Sequence, residues 1–265
     1  MVQREEIQYL NNWFYGYVKN FYSDDTECQA AVIFKEKHTE RVCQNILRLG
    51  KHLRLDEKDL HLAEAVALLH DIGRFKQYKV YGTFNDRRSE SHALLGVKEL
   101  DGTGVLECLE PEENDLIKRA VGYHSSFNLP GDLSGRILLF TKMIRDADKL
   151  DILDTFTGYY SRTDRQPDTV LESGLPDTTG YSPVLTQNLL RGERCSYHEV
   201  KNFNDRKLLL LSWIYDINFP YTLSEILKNR YIECIIDLLP DTEDTRSIKK
   251  SLLDYARGRR PTLSY

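Results

Sequence analysis

Residues 68–75 read LLHDIGRF, where a histidine and an aspartate, His70 and Asp71, directly follow an apolar run. Burying either side chain costs free energy unless a partner compensates its polar groups. The histidine belongs to the apolar face of a predicted helix, because it ends an i, i+3, i+4, i+7 series formed by Ala63, Val66, Ala67 and His70. The stretch therefore predicts a buried polar pair whose partners lie elsewhere in the chain.

Helical periodicity extends through most of the 265 residues, whereas sustained alternation of β-branched residues is hard to find. The pattern predicts helices over residues 4–21, 28–49, 57–70, 90–101, 112–124, 133–160, 183–191, 204–216, 222–239 and 243–258. Residues 161–183 are rich in Pro, Gly, Asp and Thr and have no clear period. Such a segment is typical of a functional lid, a disordered stretch or a surface excursion. We expect an all-α fold in a single helical domain, residues 1–265.

The composition excludes several classes of protein. With 36 Lys and Arg against 41 Asp and Glu, the formal net charge is -5, so no global charge favours nucleic acid or an anionic membrane. Five cysteines without a CxxC pair argue against a disulfide framework and against a thiolate zinc site. The opening MVQREEIQYLNNWF is typical of neither a secretory signal nor a membrane anchor. We expect a cytoplasmic protein.

Further histidines and an aspartate share the inward placement of His70. His124 ends a series with Ile117, Ala120 and Val121; His38 begins one with Val42, Ile46 and Leu49; His92 lies in line with Leu95 and Gly96; and Asp148 follows Ile137, Phe140, Thr141 and Ile144. The other three histidines, His52, His61 and His198, are predicted to lie at the surface.

Taken alone, an inward histidine is more often a core residue that donates to a backbone carbonyl, and an aspartate near a helix end is more often a cap. The accumulation is what argues otherwise, since four histidines and two aspartates on five predicted helices all face inward. Burying that many ionisable groups requires a shared compensator. A divalent transition metal provides one, because imidazole and carboxylate are its ligands.

The order His38, His70-Asp71, Asp148 resembles the HD-domain metal-dependent phosphohydrolase superfamily, with its signature H…HD…D on a helical bundle. His92 and His124 make the pattern similar to the dinuclear subset, H…HD…H…H…D. The resemblance covers about residues 28–160. The residues that follow carry no recognised signature, and their helical pattern suits a C-terminal extension over about residues 181–265.

The resemblance implies two divalent metal ions, with Mn, Fe, Co and Ni as candidates. Asp71 would bridge them. The first ion would be held by His38, His70, Asp71 and Asp148, and the second by His92 and His124. Asp146 competes with Asp148 as the last ligand, but the AD dipeptide of the family matches Ala147-Asp148. Asp151 is a candidate to orient a histidine or, equally, a residue of the helix surface.

Two metal ions can activate a bridging water and neutralise phosphoryl oxygens, so the implied substrate is a small phosphorylated molecule, with nucleotides included. Arg74, after HDIG, and Lys149, after Asp148, are candidates to bind the phosphate, whereas surface salt bridges would also explain Arg88 and Arg145. We expect no membrane partner.

Two other functions remain open. The same ligands resemble those of myo-inositol oxygenase and the phosphonate-cleaving oxygenases, in which two irons activate dioxygen. A non-catalytic helical module that binds metal or nucleotide is the third possibility. Cyclic dinucleotide phosphodiesterases of the HD-GYP type are disfavoured because no GYP string follows HDIG, and guanosine tetraphosphate hydrolases lack the two intermediate histidines.

Overall fold

The structure, a computed structural model, describes residues 2–162, 164 and 174–258. Within these ranges it contains helices and no β-strand, so the predicted all-α fold is confirmed. The α-helices are α1 (Arg4–Lys19), α2 (Thr26–His52), α3 (Glu57–Leu69), α4 (Ile72–Tyr81), α5 (His92–Thr103), α6 (Pro111–Tyr123), α7 (Gly135–Tyr160), α8 (Pro183–Leu190), α9 (Phe203–Ser212), α10 (Pro220–Lys228), α11 (Tyr231–Ile236) and α12 (Glu243–Gly258). Short 3-10 helices lie at Val105–Cys108, Tyr197–Glu199 and Trp213–Asp216.

The chain divides into two compact units, Met1–Asp151 and Ile152–Tyr265. The expected single domain, with a core over residues 28–160 and an extension over residues 181–265, stays a prediction. Most of the expected loop 161–183, namely residues 163 and 165–173, lies outside the described residues.

In the first unit, α3 packs on α1, α2 and α6, while α5 packs on α4 and α6. Local signals fix where these helices begin. The Asp25 side chain accepts a hydrogen bond from the Cys28 amide at the start of α2, and the Asp56 side chain does the same for Asp59 in α3. Large buried side chains form the interior, among them Phe14, Ile46, Leu62, Leu69, Phe75 and Leu100.

In the second unit, α8 packs on α9 and α12, and α11 packs on α12. The buried Asp205 carboxylate accepts hydrogen bonds from the backbone amide and hydroxyl of Ser182 and from the Lys201 amide. A buried carboxylate with three donors is satisfied, so this aspartate holds the connections before α8 and α9.

Two predictions of helix position were wrong. No helix was predicted over residues 72–81, which form α4. This helix was missed because only His70 and Asp71 separate it from α3. The predicted helix over residues 222–239 is interrupted at Arg230, whose φ is 57°. A left-handed residue ends the α-helical hydrogen bonding, and this one is neither Gly nor Asn, the residues that usually signal such a break.

All five cysteines are free, as their number and spacing predicted. Among the described residues, no helix has the length and apolar character required to cross a membrane.

Candidate metal centre

The junction between α3 and α4 places His70 and Asp71 side by side in the interior of the first unit. Their exposed fractions are 0% and 3%. The chain passes from one helix to the next through these two residues, so both side chains are fixed by helices that are themselves packed. The imidazole and the carboxylate are therefore held rigidly before any ligand binds.

Three more histidines converge on the Asp71 carboxylate from other helices. His38 comes from the middle of α2, His92 from the first position of α5 and His124 from the end of α6, and all three are buried. Asp71 Oδ2 lies 3.6 Å from His38 Nε2 and 3.7 Å from His70 Nε2. Asp71 Oδ1 lies 3.4 Å from His92 Nε2 and 3.7 Å from His124 Nε2. Each carboxylate oxygen thus faces its own pair of imidazoles.

Asp148, from α7, completes one side of the cluster. Its Oδ1 lies 3.2 Å from His38 Nε2 and 4.0 Å from His70 Nε2. Asp146, the competing candidate, is fully buried two residues earlier on the same helix. The structure therefore brings together His38, His70, Asp71, His92, His124 and Asp148, the six residues that the sequence singled out as metal ligands.

Hydrogen bonds at the outer nitrogen orient every imidazole. His70 Nδ1 donates to the Ala67 carbonyl and His124 Nδ1 to the Val121 carbonyl, each at 2.7 Å. His38 Nδ1 donates to Asp151 Oδ2 and His92 Nδ1 to Asp86 Oδ2, each at 2.6 Å. These acceptors carry no proton, so each Nδ1 carries the hydrogen and each Nε2 presents its lone pair to the cluster. Carboxylate and carbonyl acceptors of this kind orient histidines that bind metals.

The inner nitrogens lack the partners that buried polar atoms normally have. His38 Nε2 and His70 Nε2 have no hydrogen-bond partner among the described residues. His92 Nε2 and His124 Nε2 lie 3.0 Å apart, a separation at which two lone pairs repel unless a cation or proton lies beside them. Nitrogen and oxygen donors in this number suit divalent transition metals. The residues therefore fit the metal ions that the sequence pattern implies.

The comparisons agree with this geometry. A family model of the HD domain matches residues 36–153, a range that includes all six convergent residues. The chain contains an HD domain. Comparison with curated proteins and with solved structures gives no significant match.

The glycine of the HDIG string in this HD domain is required by the packing of two helices. A Cβ at Gly73 would lie 2.5 Å from the Gly96 amide nitrogen and closer still to the His92 carbonyl oxygen. Both atoms belong to the backbone of α5, which cannot move aside as a flexible side chain can. Gly73 thus allows α5 to bring His92 against Asp71.

The surroundings of the cluster favour neutral rings at His70 and His92 and an ionised carboxylate at Asp71. Burial lowers the pKa of His70 to about 4 and that of His92 to about 3. Burial opposes ionisation of Asp71, but Lys35, His70 and Arg74 hold its pKa well below the usual value. At His38, burial and Lys35 lower the pKa, whereas the nearby carboxylates of Asp148 and Asp151 outweigh them and raise it.

Two polar contacts around the HD-domain cluster were missed by the sequence analysis. Lys35 Nζ lies 2.7 Å from Asp71 Oδ2, and the loop carboxylate of Asp86 binds His92, Arg74 and the buried Gln77. For Lys35, one signal was available: it lies one helical turn before His38, so the two residues share a face of α2. Asp86 lies in a loop without periodicity, so no signal marks it.

The candidate phosphate ligands differ in their surroundings. Arg74 Nη1 donates to Gln77 Oε1, to the Phe84 carbonyl and to Asp86 Oδ1, and Arg74 Nε lies 3.4 Å from Asp71 Oδ1. Lys149, which follows Asp148 in the sequence, is buried, whereas Arg88 is exposed.

Arg145 Nη1 donates to the carbonyls of His124 and Ser126 at 2.9 and 2.6 Å. This contact holds the end of α6 in place, and α6 positions His124.

The expectation that Asp151 orients a histidine agrees with its 2.6 Å contact to His38, a contact that Arg41 reinforces through Asp151 Oδ1. Of the three remaining histidines, His52 and His198 are exposed as predicted. The prediction for His61 was wrong, because its ring is half-buried and its Nδ1 lies 3.3 Å from the Val2 carbonyl.

Proposed function

We propose that the protein is a metal-dependent phosphohydrolase that uses two divalent ions. The match of residues 36–153 to the HD domain supports a metal-dependent hydrolase. The observation that carries the finer proposal is the division of the cluster at Asp71. One of its oxygens faces His38 and His70, which Asp148 also contacts, and the other faces His92 and His124. A carboxylate so placed is suited to bridge two ions.

The three-residue side would hold one ion and the two-histidine side the other, with Asp71 shared. Each ion would then have few protein ligands, which leaves coordination positions for water and substrate, as in catalytic metal sites. Bound there, two ions would lower the pKa of a shared water and neutralise phosphoryl oxygens.

The residues of the chain contribute orientation and charge. Asp151 and Asp86 hold the rings of His38 and His92 with their lone pairs inward. The low pKa values of His70 and His92 keep these rings neutral at physiological pH, so both are ready to act as ligands. Lys35 and Arg74 add positive charge beside Asp71, which favours an anionic substrate.

A small phosphorylated molecule is the substrate class that we propose, with nucleotides among the candidates. A two-iron oxygenase would use the same types of ligand. Nitrogen and oxygen donors therefore do not distinguish an oxygenase from a hydrolase. The test must therefore measure both activities.

The experiment begins with metal content. Protein purified without chelator or metal-affinity tag is loaded with Mn or Fe and measured by inductively coupled plasma mass spectrometry. About two ions per chain are expected if both sides of the cluster are occupied. The loaded protein is then incubated with phosphomonoesters and phosphodiesters. Phosphate release from the monoesters, release of alcohol and phosphomonoester from the diesters, and dioxygen consumption are followed together. Hydrolysis of one of these substrate types without dioxygen consumption is the expected result.

The matched variants are Asp71→Ala and Asp132→Ala, the second at an exposed loop position. We expect D71A to lose both ions and all turnover, with little loss of helix content by circular dichroism, and D132A to behave as the wild type. Dioxygen consumption by the iron-loaded protein would contradict the proposal in favour of an oxygenase. Retention of two ions in D71A would remove its structural basis.

A further inference from the structure

Lys35 is a partly buried cation beside the cluster. It lies on α2 three residues before His38, and 12% of its side chain is exposed. Its ammonium nitrogen lies 2.7 Å from Asp71 Oδ2, the oxygen that faces His38 and His70. The ammonium therefore borders the three-residue side of the cluster.

The donors of Lys35 are only partly used. An ammonium group has three N–H donors, and Asp71 Oδ2 is the one acceptor within hydrogen-bond distance among the described residues. The nitrogen also lies 5.5 Å from the centre of the Phe84 ring. The face of the ring attracts the positive charge but accepts no conventional hydrogen bond. Two donors of a largely buried ammonium thus remain directed away from Asp71.

The neighbouring arginines have more protein acceptors. Arg74 Nη1 contacts three protein oxygens, and Arg145 Nη1 contacts backbone carbonyls at the end of α6. Those contacts hold helix ends and the loop that carries Asp86. Lys35 has no comparable set of acceptors among the described residues, so its charge is the more available to an incoming anion.

We propose that Lys35 binds a phosphoryl oxygen of the substrate, on the side of the cluster formed by His38, His70 and Asp148. The proposal rests on the proposed phosphohydrolase function. A phosphoryl group that reaches an ion on this side comes close to Asp71 Oδ2, and hence within reach of the two unused donors. A charged hydrogen bond of this kind contributes more than a neutral one.

The alternative role is that of a counter-ion that only neutralises Asp71. The two roles differ in what removal of the charge does. A counter-ion affects the affinity for metal, whereas a phosphate-binding residue affects the affinity of the metal-loaded protein for phosphate.

The test measures binding of inorganic phosphate to the Mn-loaded full chain by isothermal titration calorimetry, with metal content determined on the same samples. The variants are K35M, K35R and K37M; Lys37 is an exposed lysine on the same helix and serves as the control. We expect K35M to weaken phosphate binding roughly 10- to 100-fold at unchanged metal content, K35R to recover part of the loss, and K37M to match the wild type. If K35M fails to fold by circular dichroism, K35Q takes its place, because its amide can still donate to Asp71.

Equal phosphate affinity of the neutral variant and the wild type at equal metal content would overturn the role of Lys35 while leaving the phosphohydrolase proposal intact. Absence of metal-dependent phosphate binding in the wild type would overturn both. A change in metal content alone would identify Lys35 as a counter-ion and also contradict the proposal.

Discussion

Among single residues, Asp86 shows how much the cluster depends on side chains that bind no metal themselves. It accepts the Nδ1 hydrogen of His92 at 2.6 Å and also contacts Arg74 and Gln77. The carboxylate therefore sets the orientation of His92 and raises the basicity of its inner nitrogen.

Replacing Asp86 by alanine should lower the affinity for the ion on the side of His92 and His124 about 10- to 100-fold. Hydrogen-bond partners of metal-binding histidines have effects of this size. A titration with Mn, monitored by isothermal titration calorimetry, measures the affinities of the first and second binding steps. The exposed Asp132→Ala variant is the control. An unchanged second affinity would show that packing alone orients His92.

The low pKa values of His70 and His92 predict a dependence of stability on pH in metal-free protein. In the unfolded chain both rings accept a proton below about pH 6.5, whereas in the folded chain they do so only near 4 and 3. The unfolded state therefore binds more protons in this window, and stability falls as the pH decreases through it. The raised pKa of His38 has the opposite sign, but its contribution is already fully present below about pH 6.5.

Urea unfolding of chelator-treated protein at about pH 6.5 and about pH 4.5 tests this prediction. The free energy of unfolding should be lower at the more acidic pH. The lowered pKa values of the carboxyl groups act in the same direction, because the stability that they contribute is lost as the pH falls through the acidic range; these groups are Asp71, Asp86, Glu113, Asp148 and Asp151. A histidine variant therefore isolates the contribution of the imidazole. A His92→Asn variant should show a smaller difference, and a variant of the exposed His198 the same difference as the wild type. Equal stability at both pH values would contradict the prediction.

Among the secondary-structure elements, α4 and α5 approach each other closely at Gly73, and this approach positions His92. Gly73→Ala should separate these helices, since the new Cβ meets backbone atoms of His92 and Gly96. We expect a destabilisation of about 1–3 kcal/mol, as for other overpacked interiors, together with loss of the ion on the His92 side.

The control is Gly102→Ala on α5, where a Cβ meets no atom within 4 Å. It should leave metal content unchanged and stabilise α5 by about 0.5–1 kcal/mol, because alanine restricts the unfolded chain. Chemical denaturation and metal analysis of the two variants measure both effects. Full metal content in the Gly73 variant would show that α5 tolerates the displacement.

The part of the site that could be predicted from the sequence is the part that depends on helical periodicity. It identifies the inward face of a helix, so His38, His70, His124 and Asp148 could be recognised as members of apolar stripes. It does not report contacts between helices, so the pairing of Lys35 with Asp71 was not recognised.

The start of α4 was also beyond its reach. This helix begins without a preceding turn signal, so its residues did not stand out from their surroundings. Asp86 gave no pattern at all, because a loop residue has no periodic neighbours.

Taken over the whole molecule, the candidate ligands all belong to the first compact unit, Met1–Asp151. Metal binding should therefore stabilise the folded state of that unit, because the unfolded chain cannot reproduce a cluster drawn from four helices and the junction between α3 and α4. Free metal at about 100 times its dissociation constant would add about 2.7 kcal/mol to the free energy of unfolding for one site.

Differential scanning calorimetry of chelated and Mn-loaded protein tests this expectation. The midpoint of unfolding should rise with metal concentration in the wild type, and Asp71→Ala should show no such rise. An equal rise in the variant would locate the stabilising metal outside the cluster.

Asp71 is shared between the two halves of the cluster, its Oδ2 facing one and its Oδ1 the other. With the two proposed ions bound, an ion on either half would polarise the same carboxylate that serves the other half, so the two binding equilibria would form one thermodynamic cycle. Whatever factor the first ion imposed on the affinity of the second, the second would have to impose on the first. Metal loading would therefore be a property of the pair, and the affinity of each half would have to be stated together with the occupancy of its neighbour.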